Sequence, residues 1–351
     1  MGGCDKARLK LAGQSLIAHI LRRITPQSLA VAVSVRQNLG DWNDFGLTIL
    51  ADPPDSEGPL AGLLAGMEWA AQRGLDWVLS LPTDCPLVPS DLVMRLGLSL
   101  AKGGRAALAA SGGRHHFLTG LWSTALLPDL RHVVLVEKLR TVREWAGRCG
   151  ALVCPWPDQP YDPFLNINRP DDLALAQKVI GQSLPWAGAV VLPDKDNGQP
   201  LLATLRSHLS QQGFRISGLL QEGDRSQDRS GICLRDLESG KSLGIMQPIT
   251  VEGCCTVDPQ AMADASMVLR RCLQDRPDLV LINKFGRLEL DGQGLADEMM
   301  ALLADEIPLL TTVSQNKLEH WLDFTGGMTC LLPGDATALR RWAGERLGSR
   351  R

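Results

Sequence analysis

The sequence predicts an α/β protein of two domains, and three observations carry that prediction. Short apolar runs alternate with amphipathic stretches through the first half. The same alternation restarts near residue 187. The 351 residues are also enough for roughly two domains of ordinary size.

In the first half, QSLIAHILRRI (14–24) places Leu16, Ile17, Ile20, Leu21 and Ile24 on one helical face. LAVAVSV (29–35) is a valine-rich run that suits a strand buried on both faces. A second short run, LTIL (47–50), leads to Asp52. PLAGLLAGMEWAAQRG (59–74) reads as a helix with Pro59 in its first turn and Gly74 at its end. WVLSLP (77–82) is a third buried strand, followed by Thr83-Asp84-Cys85-Pro86. Ser90 is the expected N-cap of the next helix, DLVMRLGLSLAKGG. Short connections between these elements predict a parallel sheet with right-handed crossovers.

NRPDDLALAQKVIGQSLP (168–185) is a helix running out into a Ser-Leu-Pro linker. The boundary falls between 180 and 187, giving domains of 1–182 and 183–351. Beyond it AGAVVL (187–192) is a strand, LLATLRSHLSQQG (201–213) a helix and FRISGLLQ (214–221) a strand. ICLRDL and SLGIMQ flank Glu238-Ser239-Gly240-Lys241 as a β-hairpin. A helix at 258–274, the strand DLVLINKF (278–285), a helix to about 304 and the strand PLLTTV (308–313) complete the series.

Composition excludes several function classes. The content is 44% hydrophobic, too high for a disordered chain. No run of 18 uncharged apolar residues exists to span a bilayer, and MGGCDKARLK lacks the apolar stretch of a secretory signal. A net charge of −3 supplies no basic field for nucleic acid. Nine cysteines without a C-x-x-C pair read as reduced thiols, which places the protein in the cytoplasm.

Three clusters in the first half carry chemistry. Met-Gly-Gly-Cys-Asp-Lys pairs two glycines, which let backbone approach a phosphate, with a lysine that supplies charge. Asp52 closes a strand, and Gly58-Pro59-Leu60-Ala61-Gly62 opens a helix, at the end of the sheet where ligands of open α/β folds sit. Asp84, held between Pro82 and Pro86, is placed to bind Mg²⁺ together with substrate phosphates. The competing readings are a chain terminus, a plain loop and a turn aspartate. Two aspartates closing successive strands favour function over those readings.

Taken together, MGGCDKARLKLAGQSLIAHILRRI, the D…GPLAG segment, LPTDCPLVPSDL and FLNINRPDDL resemble the molybdenum cofactor guanylyltransferases over residues 1 to about 180. Each motif is shared with wider nucleotidyltransferases; the ordered set is specific. The resemblance implies a Rossmann-like α/β domain that joins the guanylyl group of GTP to the phosphate of molybdopterin, releases pyrophosphate and needs Mg²⁺. It implies a GTP site of Gly2, Gly3, Lys6, Asp52 and Asp84. Lys6 would hold phosphates, Asp52 would sit at the guanosine, and Asp84 would be the metal ligand, so Lys6 and Asp84 form the expected catalytic pair. Gly58, Pro59, Leu60, Asn166 and Asn168 would line the substrate cleft. His116, in HHFLTGLW, stands where the family has a histidine followed by proline; here Phe117 follows. Arg140 and Arg143, in KLRTVREW, would meet the pterin side or else belong to a solvated helix face. Family members begin with an apolar strand and a loop ending in R-M-G-G, whereas this sequence begins at that Met. The resemblance therefore implies an N-terminally truncated domain, with a late-assigned start favoured over true truncation.

The second half offers less chemistry. Pro193-Asp194-Lys195-Asp196-Asn197-Gly198 lies where a phosphate loop would, but lacks the Gly-Lys-Ser/Thr ending. Gly240-Lys241-Ser242 has that ending in a hairpin, with Arg235 at the required first glycine. DLVLINKFGRLELDGQGLADEM and IPLLTTVSQNKLEHWLDFTGG resemble a domain of unknown function found beside molybdenum-handling genes and distantly like P-loop nucleoside triphosphatases, here in degenerate form. That resemblance puts Asn283, Lys284, Gly286 and Glu289 in the acidic Walker-B region. Cys254-Cys255 are either soft-metal ligands or packed small residues.

The expected function is thus GMP transfer to molybdopterin, with Mg²⁺ as cofactor. Candidate protein partners are molybdoenzyme chaperones or the GTP-binding adaptor of the same pathway. The rivals are a cytidylyltransferase acting on the same cofactor and a non-catalytic molybdopterin carrier.

Overall fold

The computed structural model describes all residues except 1–5, 37–41, 43–44, 55, 102, 181–185, 195, 224–231, 246–256 and 349–351. The chain divides into two compact units, Met1–Gln182 and Ser183–Arg351.

The first unit opens with a minimal hairpin, β1 (Lys10–Leu11) and β2 (Gln14–Ser15), whose last residue caps helix α1 (Leu16–Ile24) by accepting from the Ala18 amide. Strands β3 (Ala32–Val35) and β4 (Thr48–Ala51) pair in parallel. Helix α2 (Pro59–Gln72), strand β5 (Trp77–Ser80) and helix α3 (Leu92–Leu100) follow. Then come β6 (Ala106–Ser111), β7 (Arg114–Ser123), α4 (Leu127–Leu135), α5 (Val142–Arg148), β8 (Leu152–Trp156) and α6 (Pro170–Ile180). The last four strands form one sheet in the order β5-β7-β6-β8, with β7 antiparallel to both neighbours and β8 parallel to β6.

Three expectations need correction here. The single parallel sheet is instead, among the described residues, the parallel β3–β4 pair and a separate mixed four-stranded sheet, beside the small β1–β2 hairpin. The strands expected to be buried on both faces are shorter and half exposed. Among the described residues β3 and β4 pair only with each other and β5 only with β7, so edges and parts of their faces meet solvent. The N-cap of α3 is Asp91 rather than Ser90. Its carboxylate is held by the buried Arg95 guanidinium at 2.8 Å and makes no cap bond of its own.

Helix α2 packs on β3, β4 and β5, joining the two sheets. Its Leu60, Leu64 and Met67 recur at helical spacing and are wholly buried, with Trp122, Leu130, Val133 and Trp145 in the same core. Each such side chain contributes roughly 1.5–3 kcal/mol by leaving water.

The second unit contains β9 (Ala187–Leu192), α7 (Gln199–Gln211), β10 (Ile216–Glu222), β11 (Cys233–Asp236), β12 (Ser242–Gly244), α8 (Pro259–Asp275) and β13 (Leu279–Ile282). It continues with α9 (Arg287–Leu290), α10 (Ala296–Ala304), β14 (Leu309–Ser314), α11 (Leu318–Phe324), β15 (Thr329–Pro333) and α12 (Ala336–Gly348). Its seven strands run β12-β11-β10-β13-β14-β9-β15, parallel from β10 to β15, with the β11–β12 hairpin antiparallel at one margin. Continuous apolar strands suit a sheet covered on both faces, and β9 and β13 are buried at every position. No helix among the described residues is long and apolar enough to cross a membrane.

One backbone position tests this packing. Gly218 in β10 has φ +117°, and a Cβ there would lie 2.1 Å from the Leu281 carbonyl oxygen of β13. Gly213 also has positive φ, +84°, but open space around it. Both alanine substitutions incur left-handed strain, of order 1 kcal/mol; only Gly218→Ala must also push two paired strands apart. In urea unfolding of the whole chain, Gly218→Ala is expected to lose more than about 2 kcal/mol beyond Gly213→Ala. Equal losses would show that the β10–β13 pairing yields freely.

Candidate functional site

The loop after β5 brings four predicted residues together. Asp84 is mostly buried, its side chain 17% exposed. Its Oδ1 accepts from the Asn166 side-chain amide at 3.3 Å, and Lys6 Nζ stands 3.7 Å from its Oδ2. Lys6 also donates to Asn168 Oδ1 at 2.6 Å. The backbone is locked at the same place, because the Ile167 amide donates to the Asp84 carbonyl at 2.9 Å. Between the two asparagines, Ile167 is wholly buried, which turns Asn166 and Asn168 toward the loop. Downstream, Asp172 accepts from the amides of Asn168 and Arg169, capping the start of α6.

Cys85 joins this cluster and was not among the predicted residues. Its Sγ lies 3.1 Å from Asn166 Oδ1 and 3.6 Å from the Phe164 carbonyl. Burial, reinforced by the negative charges of Asp84 and Asp162, pushes the thiol pKa far up. It therefore stays protonated and acts as a donor that orients the Asn166 amide.

A second group of predicted residues lies around an open cavity of about 640 Å³ at the ends of β3 and β4. Arg36, Asp52, Glu57, Lys138 and Arg140 line it. Asp52 Oδ1 accepts from the Ser34 hydroxyl, so the two strand ends are cross-linked. Gly62 permits the close approach of α2, since a Cβ there would lie 2.7 Å from Ser34 Oγ. Glu57 bridges Arg140 at 2.9 Å and Arg36 at 3.7 Å. Pro59 is exposed in the first turn of α2, and Gly58 passes close to the Arg140 carbonyl. Leu60, expected in the substrate cleft, is instead fully buried in the core, so its side chain cannot line an open cleft. Arg36 and Glu57 escaped sequence reading. Their one signal was position, just past the end of β3 and just before a helix that starts with Gly-Pro.

His116 and Arg143 belong to a third cluster. Arg143 sits over the Phe117 ring at 5.0 Å and is not among the residues lining the cavity. The aromatic residue that follows His116 is thus a seat for this cation. His116 Nε2 lies 2.6 Å from Ser111 Oγ, and its ring faces Phe164 with centroids 4.7 Å apart. Burial holds the imidazole below its ordinary pKa, against the pull of Asp162, with Arg114 and His115 acting in the same direction as burial. Gly2 and Gly3 lie outside the described residues, as do Cys254 and Cys255.

In the second unit the 193–198 loop satisfies itself. Asp196 Oδ1 accepts from the Gly198 amide at 2.8 Å, and Asn197 Oδ1 from the Gln199 amide at 3.0 Å. The Asn197 carbonyl accepts from the Asn283 side chain and from Thr312 Oγ1. Amides that a phosphate loop would turn to an anion are thus already bonded, beside the carboxylates of Asp194 and Asp196. Glu289, in the expected acidic region, accepts from the Gly286 and Leu295 amides and holds its own loop. Gly240 and Lys241 lie in the β11–β12 turn, as expected.

Comparison with known proteins divides the chain at the same region. A family model described as a MobA-like NTP transferase domain matches residues 1–149. One described as a protein of unknown function, DUF2478, matches residues 187–342. A molybdenum cofactor guanylyltransferase of Rhodopseudomonas palustris (strain BisB5) is 42% identical over 183 residues, which cover 51% of this chain and 87% of that protein. One from Cereibacter sphaeroides is 40% identical over 180 residues, covering 51% and 90%. Among solved structures, molybdopterin-guanine dinucleotide biosynthesis protein A from Archaeoglobus fulgidus aligns with a TM-score of 0.41 and 20% identity, over 52% of this chain and 93% of that one.

Two outcomes follow from this geometry. The unfolded chain takes up the His116 proton near pH 6.5, whereas the folded site resists it to lower pH. Stability from this group is therefore full above about pH 6.5 and declines as pH falls below it. Buried His19, whose pKa is also lowered by burial, adds to the same trend. The urea midpoint should drop between pH 7.5 and 5.5, and His116→Gln should shrink the drop; an unchanged drop would place the acid sensitivity elsewhere. For the second unit, residues 183–351 expressed alone should neither hydrolyse nor tightly bind ATP or GTP. A calorimetric Kd in the low micromolar range, about −8 kcal/mol, would show that the self-bonded loop opens for phosphate.

Proposed function

Because the chain belongs, through its N-terminal half, to the molybdenum cofactor guanylyltransferase family, we propose that it transfers GMP from GTP to the phosphate of molybdopterin, releasing pyrophosphate. The observation that supports this most directly is the meeting of Lys6, Asp84, Asn166 and Asn168 beyond the end of β5. In this reading residues 1–182 are the nucleotidyltransferase domain and residues 183–351 an accessory domain, together in the cytoplasm. Molybdoenzyme chaperones or the GTP-binding adaptor of the pathway are the protein partners it anticipates.

The donor set fits Mg²⁺. Asp84 offers carboxylate oxygen and shares Lys6 with Asn168 Oδ1, while Asn166 gives its Nδ2 to Asp84 and its Oδ1 to the Cys85 thiol; Mg²⁺ prefers oxygen ligands with only one or two carboxylates. No group of three His, Cys, Asp or Glu suited to hold a metal occurs among the described residues, so the fit is to an ion shared with a phosphate ligand. Asp84 would hold it, and when bound Mg²⁺ would draw charge from phosphate oxygens.

The protein's own groups do the rest. In the reaction a phosphate oxygen of molybdopterin attacks the α-phosphorus of GTP in line, and the bond to pyrophosphate breaks as the new P–O bond forms. Lys6, now resting between Asp84 and Asn168, would turn to the triphosphate and offset charge growing on the departing pyrophosphate. Asn166, fixed by the Cys85 thiol, would keep the Asp84 carboxylate aimed at the cleft. Asp52 would meet the guanosine, with Gly58 and Pro59 beside it, and Arg140 would face the pterin. Gly2 and Gly3 would let the chain approach the phosphates.

Asp84→Asn should lower Mg²⁺-dependent GMP transfer by about 10² or more, the scale of losing a main electrostatic stabiliser. Unchanged transfer would remove Asp84 from the metal. GTP should be preferred to CTP by at least roughly tenfold, about 1.4 kcal/mol; equal rates would move the protein to cytidylyl transfer, and no transfer with either would favour a carrier.

A further inference from the structure

Asp162 lies outside every motif the proposed chemistry uses, yet it is the anchor of the segment that carries both asparagines. Its Oδ1 accepts two hydrogen bonds, from Ser111 Oγ at 2.7 Å and from the Phe164 amide at 2.9 Å. Ser111 ends β6 and is 3% exposed. Across the hairpin in β7, His116 Nε2 lies 2.6 Å from the same hydroxyl. A hydroxyl has one proton. With that proton on the bond to Asp162, Ser111 Oγ is left to accept, and His116 must donate through Nε2–H.

Phe164 carries this anchoring onward. Its ring is held between His116, with centroids 4.7 Å apart, and Trp156, at 5.2 Å and nearly perpendicular. Asn166 and Asn168 follow two and four residues later, and Ile167 between them is hydrogen-bonded to Asp84. The 162–168 segment is therefore tied upstream by Asp162 and downstream by Asp172, with the candidate site between the ties.

We propose that Asp162 is a positioning residue for the transfer reaction: through Ser111, His116 and Phe164 it holds the 162–168 segment so that Asn166 and Asn168 meet Asp84 and Lys6. The inference rests on the function proposed above for the same site. What the position requires is an acceptor oxygen with two lone pairs, not a negative charge. An asparagine supplies that oxygen and an alanine does not. A residue that held a metal or moved a proton would need the charge. The lowered pKa of His116 keeps the imidazole neutral at ordinary assay pH, so its tautomer reports on the network.

The test uses the full chain, GMP-transfer kinetics with GTP and molybdopterin, and ¹⁵N NMR of the histidine ring and asparagine side-chain amides. Asp162→Asn should keep kcat within about threefold and His116 as the Nε2–H tautomer. Asp162→Ala should lower kcat by about 10- to 100-fold, the cost of misplacing groups by a fraction of an ångström to an ångström. In the same variant the His116 tautomer should change and the Asn166 and Asn168 amide signals should move. Ser111→Ala removes one of the two donors and should give a smaller change in the same direction, which covers an Asp162→Ala chain that fails to fold. Asparagine as damaging as alanine would assign the charge a direct role and overturn the proposal, as would alanine with wild-type kcat. If the unmodified chain transfers no GMP, the functional reading fails by itself. The amide signals then decide the inference: movement in Asp162→Ala but not in Asp162→Asn upholds it, and no movement in either overturns it.

Discussion

The first unit depends on one helix lying across two sheets. No hydrogen-bonded strand among the described residues links β3 and β4 to the β5-β7-β6-β8 sheet, so their relative placement falls to the packing of α2. That helix has Leu60, Leu64 and Met67 wholly buried, and Gly62 lets it ride close to the ends of β3 and β4. Both groups of candidate residues beyond the strand ends inherit their positions from this contact. The cavity residues Arg36 and Asp52 follow β3 and β4, while Asp84 follows β5. Apolar burial is non-directional, and here it is made specific by the close approach at one glycine.

The two strand-end loops on which nucleotide chemistry was sought solve the same physical problem in opposite ways. The Asp84 loop leaves its side chain to be satisfied from outside, by Lys6 and Asn166, through contacts that an anion or a cation can exchange for its own. The 193–198 loop bonds its amides to its own aspartate and asparagine, and its carbonyl to Asn283 and Thr312. A group satisfied within its own turn must break a bond before it can bind anything. Cost, not absence of a fold, separates the two.

Legibility in the sequence followed the physics of each element. AGAVVL, DLVLI and PLLTTV read correctly as strands because both faces of their sheet are covered and their runs are dominated by apolar residues, with Thr311 and Thr312 buried among them. The β6–β7 hairpin was not read at all. AALAAS is alanine-rich and β7 starts Arg-His-His, so its strand character comes from pairing with neighbours rather than from its own pattern. The convergence of Asp84, Asn166 and Asn168 was reached only through whole motifs, since 82 residues separate the first two. Ser111 and Asp162, 51 residues apart, belong to no motif, and nothing local marks either one. Leu60 shows the reverse error. It stands within a segment that opens on the cleft, but helical geometry turns its side chain inward.

The margins of the seven-stranded sheet have a consequence for the life of the molecule among its copies. An open row of backbone donors and acceptors is a template on which another chain can add a strand, and long flat edges are the hazardous ones. Here one described margin is β12, three residues long and exposed at its first and last positions. The other, β15, ends on Pro333, which has no N–H to give. The first margin is too short to offer a long ladder to an incoming strand, and the second stops at the proline. A sheet whose parallel strands must wait for distant partners during folding is thus bordered by a three-residue strand on one side and a strand closed by proline on the other.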